Sequence, residues 1–120
     1  MVKIAYASRT GHVKTIVETI GAKDALRIKT GDERLEGEYV IFTYTTGIGK
    51  TPKAVERFLT NNPGIVAVVG SGSRTITYSR TFNFAAEHIS KAYNVPIIAK
   101  VDGIGTSEEM LKIKTELEKM

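Results

Sequence analysis

The stretch Ala5-Tyr6-Ala7-Ser8-Arg9-Thr10-Gly11-His12-Val13 decides how the rest of the chain is read. An apolar run over residues 2–7 stops at small hydroxyl residues and a glycine, and a helical pattern begins at once. That order is strand, tight turn, helix N-terminus. Backbone N–H groups exposed at a helix start carry partial positive charge and attract phosphate. Ser8 and Thr10 add hydroxyl donors, and Gly11 lets the backbone come close to a ligand. The segment is a candidate phosphate cradle at the carboxyl end of the first strand of an open α/β sheet, where such sheets bind ligands.

Outward from this segment the chain alternates. Val13, Ile16, Val17 and Ile20 share one helical face, and Gly21 ends that helix. Residues 25–29 predict a short strand near an edge. Residues 38–44, rich in β-branched and aromatic side chains, predict a central strand that is apolar on both faces. Thr51 is expected as the N-cap of a second helix with Pro52 in its first position, and Asn61-Asn62-Pro63-Gly64 stops it. Residues 65–70 predict a further buried strand, ending in a loop Gly70-Ser71-Gly72-Ser73. A third helix is expected over residues 81–93, a fifth strand over residues 95–99, and a last helix to about residue 119. Thr106 and Glu109 form a capping box at its start. The segment between the second and third strands, residues 30–37, is too short for a helix.

This order predicts a five-stranded, doubly wound parallel sheet of order 2-1-3-4-5 with helices on both faces. One domain accounts for all 120 residues. No apolar run approaches the length of a membrane span. The expectation is a cytoplasmic protein without a leader, since Met1-Val2-Lys3 runs straight into the first strand. Cysteine is absent, which removes disulfides, thiolate catalysis and Cys-based metal sites. His12 and His88 lack metal-ligand spacing, and His88 reads as a partly exposed helix residue. The formal net charge of +4 is scattered, with no run of four Lys/Arg, so it argues for an anionic ligand or partner and less for nucleic acid.

In a parallel sheet the loops after the strands gather at one edge. Three of them are alike here. They are Ser8-Arg9-Thr10-Gly11-His12, Tyr44-Thr45-Thr46-Gly47-Ile48-Gly49-Lys50, and Gly70-Ser71-Gly72-Ser73-Arg74-Thr75-Ile76-Thr77-Tyr78. The first suits a phosphate; the other two could clasp a flat ring, with Tyr44, Ile48 or Tyr78 covering it. Arg9 reads as a solvated surface charge, Arg74 as either that or a ligand contact, and Phe84 as core. Asp102 either touches a ligand or caps a turn with Gly103. No Ser/His/Asp order, Walker lysine or carboxylate pair is present, so any chemistry falls to a cofactor.

These residues resemble a known family. Ser8-Arg9-Thr10-Gly11-His12-Val13 is similar to the flavodoxin phosphate loop. Thr43-Tyr44-Thr45-Thr46-Gly47-Ile48-Gly49, then Pro52 and Phe58-Leu59, resembles the second loop and helix of NrdI, the small flavodoxin-like protein of class Ib ribonucleotide reductase. Gly70-Ser71-Gly72-Ser73-Arg74, Ala85-Ala86-Glu87-His88-Ile89-Ser90, Val95-Pro96-Ile97 and Gly105-Thr106 follow in the family's order. The resemblance implies an FMN protein that reduces oxygen and delivers the oxidant to NrdF, the small reductase subunit, where a dimanganese–tyrosyl radical cofactor is assembled. It further implies an electron donor, a reductase or ferredoxin-like protein, and no nucleic acid or membrane partner. Ser8, Arg9, Thr10, Gly11, His12 and Val13 would hold the phosphate. Tyr44, Thr45, Thr46, Gly47, Ile48 and Gly49 would border the isoalloxazine, with a peptide at Gly47 free to turn toward reduced flavin N5. Ser71, Gly72, Ser73 and Arg74 would close the other side, with Tyr78 rather than Ile76 stacking on the ring. His12 stands where the family usually has Asn. Ser73-Arg74-Thr75 replaces Asn-Arg-Asn, and residues 76–80 replace a shorter stretch. A generic electron-transfer flavodoxin is the alternative, but those proteins are usually longer and acidic; a binding module that kept only the scaffold is a third reading.

Overall fold

The structure is a computed structural model and describes residues 2–46, 49–72 and 83–120. Among the described residues nine elements follow one another: β1 (Lys3–Tyr6), α1 (His12–Thr19), β2 (Leu26–Arg27), β3 (Tyr39–Tyr44), α2 (Lys53–Asn61), β4 (Ile65–Gly72), α3 (Phe84–Tyr93), β5 (Ile97–Asp102) and α4 (Ser107–Glu118). The five strands form one sheet of order β2-β1-β3-β4-β5, and every pairing is parallel. Both the element order and the strand order are those expected from the sequence.

Alternation along β3 explains the two-sided core. Val40 and Phe42 point to one face, where they meet Val13, Ile16, Val17 and Ile20 of α1 and Met110, Ile113 and Leu117 of α4. Tyr39 and Ile41 point to the other face, against Val55, Phe58 and Leu59 of α2 and Ala86 and Ile89 of α3. All four β3 residues are fully buried, which is why this strand reads as a continuous apolar run. Two register shifts interrupt the pattern. Val40 pairs with Ala67 after Tyr39 pairs with Ile65, so Val66 is skipped and Val66 and Ala67 turn to the same face. Ile98 is skipped in the same way between β4 and β5.

Several boundaries differ from expectation for identifiable reasons. Pro52 is extended (ψ 138°) and is itself the N-cap of α2, so Thr51 lies one residue outside and caps nothing with its side chain. Asn83 has a left-handed backbone (φ 56°), which no α-helix accommodates, so α3 begins at Phe84 and not near residue 81. β4 runs two residues further than the apolar run because Ser71 and Gly72 pair with Val101 and Asp102. That pairing also moves β5 toward its carboxyl end. Pro96, lacking an N–H, precedes the strand, and its carbonyl accepts from Val68 N at 3.0 Å. β2 shrinks to two residues, although Ile28 N still donates to Tyr6 O at 2.7 Å.

Candidate functional site

In a sheet of this order the chain leaves β1 toward one side and β3 toward the other, opening a crevice between their carboxyl ends. The loop from Ser8 to Gly11 lines one wall. Gly11 (φ 93°, ψ −6°) sits at the N-cap of α1, and among the described residues a side chain there would meet nothing within 4 Å, so this part of the loop is open. Ser8 Oγ accepts from Lys14 N–H at 3.2 Å, keeping its own hydroxyl proton to donate elsewhere. Thr15 N closes the first helical hydrogen bond on Gly11 O at 2.9 Å. Among the described residues, the N–H groups of His12 and Val13 have no acceptor. Two unengaged donors, a positive helix end, the hydroxyls of Ser8 and Thr10 and the nearby cation of Arg9 make a cradle for an anion.

The loop after β3 forms the facing wall. Thr43 is buried and donates to Tyr44 O at 3.0 Å; Tyr44 is half-buried and touches both halves of the core. The loop is closed at its base by an antiparallel bridge, Thr46 N to Lys50 O at 2.8 Å and Lys50 N to Thr46 O at 2.9 Å. Arg9 Nη1 reaches Thr46 Oγ1 at 3.5 Å, the outer limit of a hydrogen bond, and so brings the two walls together. Helix α3 supports this loop from behind. Ala85 N–H donates to Thr45 Oγ1 at 3.1 Å, and the His88 ring lies 2.9 Å from Gly49 O through Nε2. Gly47 and Ile48 lie outside the described residues.

At the end of β4, Ser71 is buried and its hydroxyl donates to Gly103 O at 2.5 Å, while Gly103 N donates to Gly72 O at 2.8 Å. The β4 end is therefore tied to the turn after β5. Asp102 belongs to that turn, its carbonyl accepting from Gly105 N at 3.0 Å, which favours the turn reading of this residue. A Cβ on Gly103 would stand 4.0 Å from His12 Cε1, so the histidine lies between the first loop and this last one. Ser73, Arg74 and Tyr78, with the rest of residues 73–82, lie outside the described residues.

One residue departs from its sequence reading, and another makes a contact that reading did not include. Phe84 is half-buried outside both core clusters, its ring set edge-to-face on His88 with centroids 6.1 Å apart. His88 is the exposed helix residue expected, and its ring also reaches a loop 39 positions away in the chain. Nothing in local spacing signals such a contact. Among the described residues no group of His, Asp or Glu could hold a metal ion, and no helix is long and apolar enough to cross a membrane.

The profile of proteins described as NrdI flavodoxin-like matches residues 4–115. The chain belongs to that family. It is 35% identical over 121 aligned positions to the protein NrdI of Bacillus licheniformis, covering all of this chain and 90% of that one. It is 31% identical to the protein NrdI of Deinococcus radiodurans, covering 95% of this chain and 81% of the other. Solved structures give the same fold. A short-chain flavodoxin associated with a non-canonical PDU bacterial microcompartment superposes with a TM-score of 0.72 at 16% identity, over 98% of this chain and 93% of that one. A flavodoxin of Streptococcus pneumonia TIGR4 also gives 0.72, at 22% identity, over 98% and 94%. The cofactor of this NrdI fold family is FMN. The residues present suit it. The first loop offers unengaged N–H donors, a glycine with open space and no carboxylate, which is what a phosphate monoester requires.

Proposed function

We propose that this chain binds FMN in the crevice between the ends of β1 and β3 and reduces dioxygen there. The oxidant then serves assembly of the dimanganese–tyrosyl radical cofactor in NrdF, the small subunit of class Ib ribonucleotide reductase. The observation that carries the reading is the open Ser8–Val13 cradle facing the bridged Thr46–Lys50 loop in a chain of the NrdI family. Ser8, Thr10, Gly11, His12 and Val13 hold the phosphate, with Arg9 at its edge. Tyr44, Thr45, Thr46, Gly47, Ile48 and Gly49 border the ring on one side; Ser71, Gly72, Ser73, Arg74 and Tyr78 border it on the other. Bound FMN supplies the electron transfer to oxygen, and the chain's own groups bind and orient it. Electrons come from a reductase or ferredoxin-like donor, and the setting is the cytoplasm.

The test has two stages. The apoprotein is first titrated with FMN anaerobically, following visible absorbance and fluorescence quenching. The loaded protein is then reduced and mixed with manganese-loaded NrdF in air, and tyrosyl radical is counted by electron paramagnetic resonance. Tight binding followed by radical formation is expected. Tight binding without radical formation would favour the electron-carrier flavodoxin, and no binding would remove the flavin reading altogether.

A further inference from the structure

The peptide between Gly49 and Lys50 is held at both ends. Its N–H donates to Thr46 O at 2.9 Å, and its carbonyl oxygen lies 2.9 Å from His88 Nε2. A carbonyl oxygen only accepts, so Nε2 carries a proton and the imidazole is the donor. The same helix grips the near end of the loop through Ala85 N–H and Thr45 Oγ1 at 3.1 Å. The bridge at Thr46 and Lys50 is thus pinned to α3 at two points, Thr45 and Gly49, one on each side of the turn. His88 itself is exposed and belongs to neither core cluster, so its hydrogen bond serves the loop and not the packing of the fold.

We propose that His88 is a positioning residue of the flavin site. By donating to Gly49 O it fixes the base of the loop that borders the isoalloxazine, and so sets how tightly oxidised and reduced FMN are each held. This rests on the FMN reading above. It extends that reading to a side chain that lies behind the loop and does not touch the cofactor.

Three variants separate the donor from the ring. His88→Gln keeps an N–H donor at a comparable reach and removes the imidazole. His88→Phe keeps a ring against Phe84 and removes the donor. His88→Ala removes both. Each is loaded with FMN, and the dissociation constant and midpoint potential are measured with the melting temperature of the apoprotein. One neutral hydrogen bond corresponds to about a three- to tenfold change in affinity. His88→Ala and His88→Phe are expected to weaken FMN binding by that factor and shift the potential, with apoprotein melting unchanged. His88→Gln is expected to restore both. The proposal is overturned if all three bind FMN like the wild type, or if Phe restores binding while Gln does not, which would assign the effect to packing on Phe84. It is also overturned if apoprotein melting falls in step with affinity. Failure of the wild-type protein itself to bind FMN is a separate result and strikes the functional reading.

Discussion

A methyl group added at Gly11 meets nothing within 4 Å, whereas one added at Gly70 collides with Asn83 Oδ1 and stands 2.8 Å from Ala86 Cβ. The two glycines are needed for opposite reasons. At Gly70 the cause is a buried amide. Asn83 is 1% exposed, its Nδ2 donates to Val101 O at 3.2 Å, and among the described residues its Oδ1 has no hydrogen-bond partner. That oxygen lies 2.4 Å from where a Cβ on Gly70 would stand. Gly70→Ala forces apart β4 and the start of α3, and a loss of about 1–3 kcal/mol is expected from overpacking. The midpoint of urea unfolding measures it, and an unchanged midpoint would show that the amide can move aside. At Gly11 space is free but the backbone is left-handed (φ 93°), which costs an L-residue about 1–2 kcal/mol. Gly11→Ala therefore folds with reduced stability. Its new methyl stands in the open cradle, so FMN affinity is expected to fall while riboflavin affinity stays the same. Equal losses for the two ligands would count against a phosphate site there.

At the scale of elements, the connection between β2 and β3 does without a helix and substitutes a hydrogen-bonded cap. Glu33 Oε2 accepts from Lys29 N at 2.8 Å and Thr30 N at 3.1 Å, and its Oε1 accepts from Gly31 N at 2.9 Å. Asn62, buried at the end of α2, binds the same segment. Its Oδ1 accepts from Leu35 N at 2.8 Å, and its Nδ2 donates to Glu33 O and Phe58 O, each at 2.9 Å. The Tyr39 phenol donates to Asn62 O at 2.6 Å, and burial, with Tyr93 nearby, pushes its ionisation well above the usual range. Desolvation raises the Glu33 carboxyl, but the backbone donors outweigh it and hold the group below its ordinary value of 4.5. A group whose pKa is lowered by folding stabilises the fold above its unfolded pKa, and that gain is lost as pH falls through the folded value. The stability gap between wild type and Glu33→Gln is therefore expected to be constant from about pH 8 to about pH 5.5 and to close below about pH 4.3. Chemical denaturation across that range measures it; a gap independent of pH would place the effect in shape and not in charge. The sequence shows that residues 30–37 are too short for a helix. It does not show what replaces one, because Glu33 and Asn62 are 29 positions apart and the asparagine reads as a helix stop.

For the whole molecule, the parts legible in the sequence are those set by local periodicity: five strands, four helices, their order and the buried β3. The parts that were not legible come from pairings between distant segments. The skipped residues Val66 and Ile98 shift the register, the pairing of Ser71 and Gly72 with Val101 and Asp102 carries β4 and β5 past their apolar runs, and His88 reaches across to Gly49. The first cradle was legible because strand, turn and helix start are contiguous in the chain. Its facing walls were legible as loop compositions, and their mutual contacts were not. The cradle and the bridged loop both hang on the shared sheet, with core packed on each face, so a ligand that joins them stabilises the domain as a unit. FMN that binds only the folded state adds about 2.7 kcal/mol at a free concentration one hundred times its dissociation constant. For a domain of this size that corresponds to a rise of about 10 °C in melting temperature. Riboflavin at the same concentration keeps the ring and lacks the phosphate, so under the proposed site it would engage the loop after β3 and leave the N–H groups of His12 and Val13 unanswered. Its expected shift is well below that of FMN, and adding inorganic phosphate with riboflavin should recover part of the difference. Calorimetry of the three mixtures decides the matter: equal shifts for FMN and riboflavin would take the Ser8–Val13 loop out of the binding site, while a graded series would assign the phosphate to it.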